Sequence, residues 1–358
     1  MTLSDISTLR IQNQEIQRQR FSRAKDLVAY MGAMQAQDFL MVRWAVGLRL
    51  QGSDDASIVE AYNKGEIIRT HLMRPTWHFV SCDDVYWLLE LTAPQIKTLC
   101  KSRDRQLELD ESIYGRSNAI LEKALFGGVN LNREELTRLY QEANIRTDEN
   151  RLSHLLMRAE LEGIICNGAI KQNKLTYALL SEKAPVRKLL SREESLAELA
   201  MRYFTSHAPA TVRDFIWWSG LSVSEAKKAV ELIKSDFVYE TIEEITYLFR
   251  NDQPDISQHN SLCLLPAFDE LLIGYTNQSA TISSTYNPKA ISSNGLFRPI
   301  IVENGRVTGV WKRTMQKTKV VIEVTFFSIA SGSLKTELER EIKKQALFLG
   351  KEVELVFT

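Results

Sequence analysis

The order helix, helix, helix, strand pair recurs along this chain, and that recurrence restricts it to a few architectures. It is clearest from about Arg116 to Glu182. Asn118 to Phe126 carries apolar residues at helical spacing and stops at Gly127-Gly128. Asn132 is a good N-cap for a helix from Arg133 to Ala143, with Leu136, Leu139 and Tyr140 on one face. Asp148 or Glu149 opens a third helix through Leu152, Leu155, Leu156 and Leu161, ended by Gly163. Ile164 to Cys166 and Leu175 to Leu179, around the turn-rich Asn167-Gly168, read as a hairpin. Three helices and a hairpin make a winged helix, a helix-turn-helix variant.

The same order fits Glu193 to Thr205, Ala210 to Trp218 and Val223 to Lys234, the last capped by Ser222. The strands Phe237 to Thr241 and Ile245 to Phe249 follow. A looser version fits the first 112 residues. There Arg23 to Met34, Phe39 to Leu50 and Ile58 to Tyr62 are helical, and Ile68 to Val80 is a hairpin turning near Arg74-Pro75. Pro75 cannot donate to a ladder and so belongs at the turn.

After Pro254 the texture becomes strand-rich. Leu262 to Leu265, Leu271 to Ile273, Pro299 to Val302, Arg306 to Trp311 and Val320 to Phe327 read as strands, with Asn304-Gly305 as a hairpin turn. A helix from Leu334 to Leu349 and a strand from Glu352 to Phe357 close the chain. The fold class predicted is α+β: three tandem winged-helix domains followed by a β-rich, small barrel-like domain. The expected boundaries are 1–112, 113–188, 189–256 and 257–358.

Composition narrows the function. Forty-five basic and forty-five acidic residues give zero formal charge. That opposes a surface coated with non-specific nucleic-acid affinity but permits a local basic stripe. The four cysteines, Cys82, Cys100, Cys166 and Cys263, form no Cys-x-x-Cys pair, so a reducing cytoplasm is expected rather than a disulfide framework or zinc ribbon. No signal peptide is visible, and no apolar stretch approaches the roughly 20 residues of a membrane span.

Two short motifs carry the chemistry. One is Gln35-Ala36-Gln37. The other is Arg69-Thr70-His71-Leu72-Met73-Arg74-Pro75-Thr76-Trp77-His78. Together with Leu264-Leu265-Pro266-Ala267-Phe268-Asp269-Glu270, they make the chain resemble the AlkZ/YcaQ-type winged-helix DNA glycosylases along essentially its whole length. That family has three tandem winged helices and a C-terminal β-barrel. Its characterised members are bacterial enzymes that excise bulky N-alkylated purines and unhook interstrand crosslinks. The resemblance implies that activity here, and it implies that Gln35 and Gln37 are the catalytic pair.

The residues support a compatible physical reading. Cleaving an N-glycosidic bond builds positive charge on the sugar and needs water at the anomeric carbon. Two glutamines offer carbonyl acceptors and NH2 donors but no negative charge, and they are poor bases. Such a pair suits a base that is already cationic, an N7- or N3-alkylpurine, which departs neutral. Some relatives carry Asp at the second position. Asp38, one step later, would be rotated by about 100° on a helix and is no substitute. The alternative is that Gln35 and Gln37 only cap or flank a helix.

Arg69, His71, Arg74, Thr76 and His78 are expected to support the glutamine site or to contact a phosphate beside it, against the alternative of histidines bonded in a hairpin core. Arg298, Arg306, Lys312, Arg313, Lys317 and Lys319 fall in a strand-rich stretch with only Glu303 opposing them. They are either a phosphate-contacting face or a solvated hairpin. Trp217 and Trp218 read as core rather than as base-stacking platforms, and Asp269 and Glu270 as residues that organise domain packing rather than as paired carboxylates. No metal site of standard spacing includes His71, His78 and Cys82, and no cofactor is expected.

The expected function is a monofunctional, metal-independent DNA repair glycosylase. It would act as a monomer on damaged double-stranded DNA, on bulky cationic purine adducts and crosslinks built on them. No lysine lies beside the glutamines in the motif to serve as a Schiff-base nucleophile. The alternative is a non-enzymatic tandem winged-helix DNA-binding protein or regulator. A protein–protein scaffold is a third possibility.

Overall fold

The computed structural model describes residues 1–254, 262–329 and 332–357. The expected boundary at 256/257 lies outside the described residues.

The first stretch is helical until a short sheet forms. Helices span Leu3–Asn13, Ala24–Met31, Phe39–Gly47 and Asp55–Lys64. The predicted helix Arg23 to Met34 ends early, because Gly32 adopts φ 79° and the chain leaves as the strand Met34–Gln35. That strand pairs antiparallel with Thr76–Ser81, which pairs with Ile67–Leu72. The hairpin turns through Met73, at φ 58°, to Pro75. A 22-residue helix, Val85–Gln106, follows.

The second and third helix groups match the predicted order. Glu111–Leu125, Arg133–Glu142 and Arg151–Leu161 precede a sheet in which Thr176–Leu179 lies between Leu131–Asn132 and Ile165–Asn167. Asn132 caps as predicted, in a reciprocal box with Glu135. Arg192–Ser206, Val212–Ser219 and Val223–Ile233 precede the hairpin Val238–Ile242 with Ile245–Phe249.

The C-terminal region is a five-stranded sheet. Its order is Glu352–Phe357, Lys319–Phe326, Arg306–Met315, Ile300–Glu303 and Leu262–Leu265, with only the first pair parallel. Among the described residues both edge strands stay unpaired, so they form an open sheet and not a closed barrel. Asn304 and Gly305 both have positive φ, as the hairpin turn requires. Leu271 to Ile273, expected as a strand, is instead in the short helix Glu270–Ile273, started by Asp269 accepting from the Leu271 N–H at 3.0 Å. Three buried apolar residues fit either element, and the cap decides.

Burial ties distant segments together. One core joins the first helices to the C-terminal sheet: Trp44 packs on Phe348 and donates its Nε1–H to the Leu264 carbonyl at 2.8 Å. A second joins the Ile67–Ser81 hairpin and the Val85–Gln106 helix to the Arg192–Ile233 helices, and a third lies within residues 107–179. The Arg151–Leu161 helix packs against the hairpin and the Val85–Gln106 helix, so much of its surface is covered. Among the described residues no helix is long and apolar enough to cross a membrane.

Candidate active site

The Gln35-Ala36-Gln37 motif occupies the passage from strand to helix. The backbone groups of Ala36 are both used: its N–H donates to the Trp77 carbonyl at 2.7 Å, and its carbonyl accepts from Arg69 Nε at 2.9 Å. Asp38 is the N-cap of the Phe39–Gly47 helix, accepting from the Leu40 and Met41 N–H groups at 3.0 Å each. Its carboxylate is therefore committed to the backbone, and helix capping does not consume either glutamine.

Gln35 is held from both ends. Its backbone N–H donates to Glu270 Oε1 at 2.7 Å, and its side-chain Oε1 accepts from Arg74 at 2.8 Å. A guanidinium only donates, so the amide atom facing Arg74 must be the oxygen, and the Gln35 NH2 is left to donate elsewhere. Gln37 is exposed, and its side chain has no partner among the described residues. The pair thus divides its capacities. Gln35 presents a donor whose carbonyl is polarised by a cation, while Gln37 keeps a free carbonyl and a free NH2.

Beneath Gln35 sits a fully buried carboxylate. Glu270 also accepts from Trp218 Nε1 at 3.0 Å and His207 Nε2 at 3.4 Å. Burial pushes its pKa up, but the His207 and Gln35 N–H donors and the Arg74 charge outweigh that and bring it below the ordinary value. Burial lowers the pKa of His207, so the imidazole is the neutral partner of an ionised Glu270. The neighbouring Asp269 forms a two-point ion pair with buried Arg49, both contacts at 2.9 Å. Asp269 and Glu270 therefore organise packing, as expected, and Glu270 does so directly under the motif.

The Arg69–His78 segment divides between two neighbourhoods. Arg74 lies with Gln35. Its Nε has no partner among the described residues, and burial lowers its pKa. His78 is opposite Gln35 in the sheet. Its Nδ1–H donates to the Thr76 carbonyl at 3.0 Å, leaving Nε2 as a buried acceptor with no partner among the described residues. Burial, reinforced by the Arg74 charge, lowers its pKa to about 3, so it stays neutral. The Thr76 hydroxyl is likewise buried and unpartnered.

Arg69 and His71 instead flank Trp77, at 4.5 and 4.3 Å from its ring. His71 Nδ1 bonds Glu160, Asn167 Nδ2 donates to Glu160 at 3.1 Å, and Arg69 bonds Asn167 Oδ1. Arg69 thus reaches the motif through Ala36, whereas His71 is bound to a carboxylate of the second helix group. His71, Pro75 and Trp77 line a 280 Å³ cavity with Arg133, His154 and Tyr177, which neither glutamine lines.

The six cations of the C-terminal stretch are not equally free. Arg306 donates to the Ser279 and Ala280 carbonyls, Lys312 pairs with Glu323 at 3.4 Å, and Lys319 pairs with Glu354 at 2.6 Å. Arg313 is half-buried, donating to the Leu40 carbonyl at 3.2 Å beside Asp38 and Asp55. The side chains of Arg298 and Lys317 are exposed, with no partner among the described residues.

The core assignment of the two tryptophans holds for one of them only. Trp218 is fully buried, as read, but Trp217 is 45% exposed. Its Nε1–H donates to the Ile273 carbonyl at 3.0 Å, and Arg74 lies 5.4 Å over its ring. Gly220 ends this helix at φ 68°, where a Cβ would come within 2.1 Å of the Met73 carbonyl, so the helix end is pressed onto the hairpin turn.

The chain is similar to known proteins along most of its length. A family model described as DNA glycosylase AlkZ-like matches residues 28–348. An interstrand DNA cross-link repair glycosylase of Streptomyces sahachiroi is 25% identical over 342 residues, covering 87% of this chain and 88% of its own length. The solved structure of the Streptomyces sahachiroi DNA glycosylase AlkZ superposes with a TM-score of 0.82 at 21% identity. It covers 99% of this chain and all of that one.

Proposed function

The chain belongs to the AlkZ-like DNA glycosylase family, and we propose that it hydrolyses the N-glycosidic bond of cationic N-alkylpurines in double-stranded DNA. Bulky N7 or N3 adducts are the intended substrates, and crosslinks built on them are a further class. The observation that carries this reading is the asymmetric holding of the motif. Arg74 and Glu270 fix Gln35, while Gln37 is exposed and free.

In the proposed reaction the glycosidic C–N bond breaks and its electron pair returns to the purine ring, neutralising the ring's positive charge. Water adds to the anomeric carbon and releases one proton to solvent. Gln37 orients that water through its carbonyl, and the Gln35 NH2 donates to the sugar or its phosphate. Neither amide can remove a proton from a poor nucleophile, and none is needed when the leaving group is already activated. The reaction as proposed is monofunctional, requires no metal and is carried out by a monomer.

On this reading the three helix groups act as tandem winged helices along the duplex, and the C-terminal sheet is a fourth domain. Of the six cations in the C-terminal stretch, Arg298 and Lys317 have no partner among the described residues and are free to meet phosphates. The test is direct. Incubation with duplex DNA carrying N7-methylguanine, a bulky N7 adduct or a crosslink should generate abasic sites. Binding of every such duplex without excision of any would replace the enzyme by a DNA-binding protein.

A further inference from the structure

We infer that Trp217 is the surface on which the extruded alkylpurine stacks. This rests on the glycosylase reading above and names a residue that the motif does not contain. Trp217 is 45% exposed although the adjoining Trp218 is fully buried, and its indole is anchored. Its Nε1–H is tied to the Ile273 carbonyl, and the adjoining Gly220 is pressed onto the Met73 carbonyl. The ring therefore offers an aromatic face without the entropy loss of ordering it on binding.

Arg74 fixes where that face lies relative to the reaction. Its guanidinium contacts Gln35 Oε1 and lies 5.4 Å over one face of Trp217. If Gln35 meets the sugar, one guanidinium separates that sugar contact from the Trp217 ring. An extruded base must give up its stacking partners in the duplex, and an aromatic side chain replaces them. A cationic purine gains more than a neutral one, because the indole face attracts positive charge. Buried Glu270, close to Arg74, offsets the guanidinium charge that would otherwise repel such a base. The ring thus recognises the chemical property that the uncharged glutamines require of their substrate.

The experiment compares full-length wild type, Trp217→Phe and Trp217→Leu. Each is measured for excision of N7-methylguanine, and for affinity to two duplexes. One is undamaged; the other carries the lesion on a fluorinated sugar that resists hydrolysis. Trp217→Leu should lose about tenfold or more of its preference for the lesion duplex, the order expected when one base–aromatic stack is removed. Its affinity for undamaged DNA should stay unchanged. Trp217→Phe, which keeps a ring but loses the bond to Ile273, should retain most of the preference. Equal losses in both variants would assign Trp217 to packing, and an equal loss on undamaged DNA would assign it to the duplex; either overturns the inference. So does an unchanged Trp217→Leu. If wild type excises the lesion in those cases, only this inference fails. If wild type neither excises nor prefers the lesion, the glycosylase reading fails first and this one with it.

Discussion

Glu270 accepts the backbone N–H of Gln35 at 2.7 Å across 235 positions of sequence. A buried anion from the start of the C-terminal region therefore sets the position of the first glutamine, while Arg74, from the hairpin, sets its amide. The glutamine that carries no such restraint, Gln37, is the one open to solvent.

Removing the free amide should separate chemistry from binding. Gln37→Ala should slow single-turnover excision of N7-methylguanine by roughly 100-fold or more, the loss typical of one polar transition-state contact. Affinity for lesion DNA should change little, since phosphate contacts supply most of it. Gln37→Asp should stay active and extend excision toward poorer leaving groups, because a carboxylate stabilises the sugar cation. Wild-type rates in Gln35→Ala, Gln37→Ala and the double variant would remove the pair from the mechanism.

Neutralising the anion beneath Gln35 should damage both fold and rate. Glu270→Gln leaves donors from Gln35, Trp218 and His207 facing one carbonyl and an NH2. A loss of about 1–3 kcal/mol in urea unfolding is expected. Excision should fall ~10-fold or more from misplacement of Gln35, with lesion affinity largely retained. A variant that unfolds earlier yet excises at the wild-type rate would show that Glu270 serves stability alone.

The Arg49–Asp269 pair is buried on both sides. Arg49→Ala strands a carboxylate in the core and should destabilise the protein by ~3–5 kcal/mol. Chemical denaturation reads this as a shifted midpoint, and a shift under about 1 kcal/mol would contradict the burial described here.

Acid should weaken the fold through His78. Its folded pKa is about 3 against an ordinary 6.5. The unfolded chain therefore binds the extra proton first, and stability falls as pH drops from 6.5 toward 3. It is fully present above 6.5. The slope approaches ~1.4 kcal/mol per pH unit for one proton. His207, also lowered by burial, acts in the same direction. Glu270, lowered as well, loses its contribution only below the ordinary carboxylate range. Urea midpoints across this window should depend less on pH in His78→Gln than in wild type.

Salt dependence should identify the phosphate contacts. Arg298→Gln and Lys317→Gln should each reduce the slope of log K against log[salt] by about one. Lys319→Gln should change it less, because Glu354 already pairs with Lys319. Equal effects at all three positions would mean that DNA opens the pair.

The helices and hairpins were legible because their signals are local: Asn132, Ser222 and Asn304-Gly305 do what their side chains or backbone freedom dictate. The motif was legible as residues but not as a held structure. Glu270 and His71's partner Glu160 come from other segments, and no periodicity announces them. Trp217 and Trp218 differ by one helical step, which turns one ring outward and the other into the core; composition treats them alike. The basic stretch read as six cations, but Lys312 stands opposite Glu323 in the register and Lys319 meets Glu354 from the adjoining strand. Its free charge is smaller than its count.

The bond between Gln35 and Glu270 also has a consequence in time. During synthesis Gln35 leaves the ribosome 235 residues ahead of its anchor. For most of translation the motif exists without the carboxylate that fixes it. A product terminated before Asp269 would carry both glutamines and all three helix groups yet lack a formed site. Completion of the chain is therefore a condition for the contact that holds Gln35, and a chain cut before Asp269 also lacks the sheet against which the first helices pack.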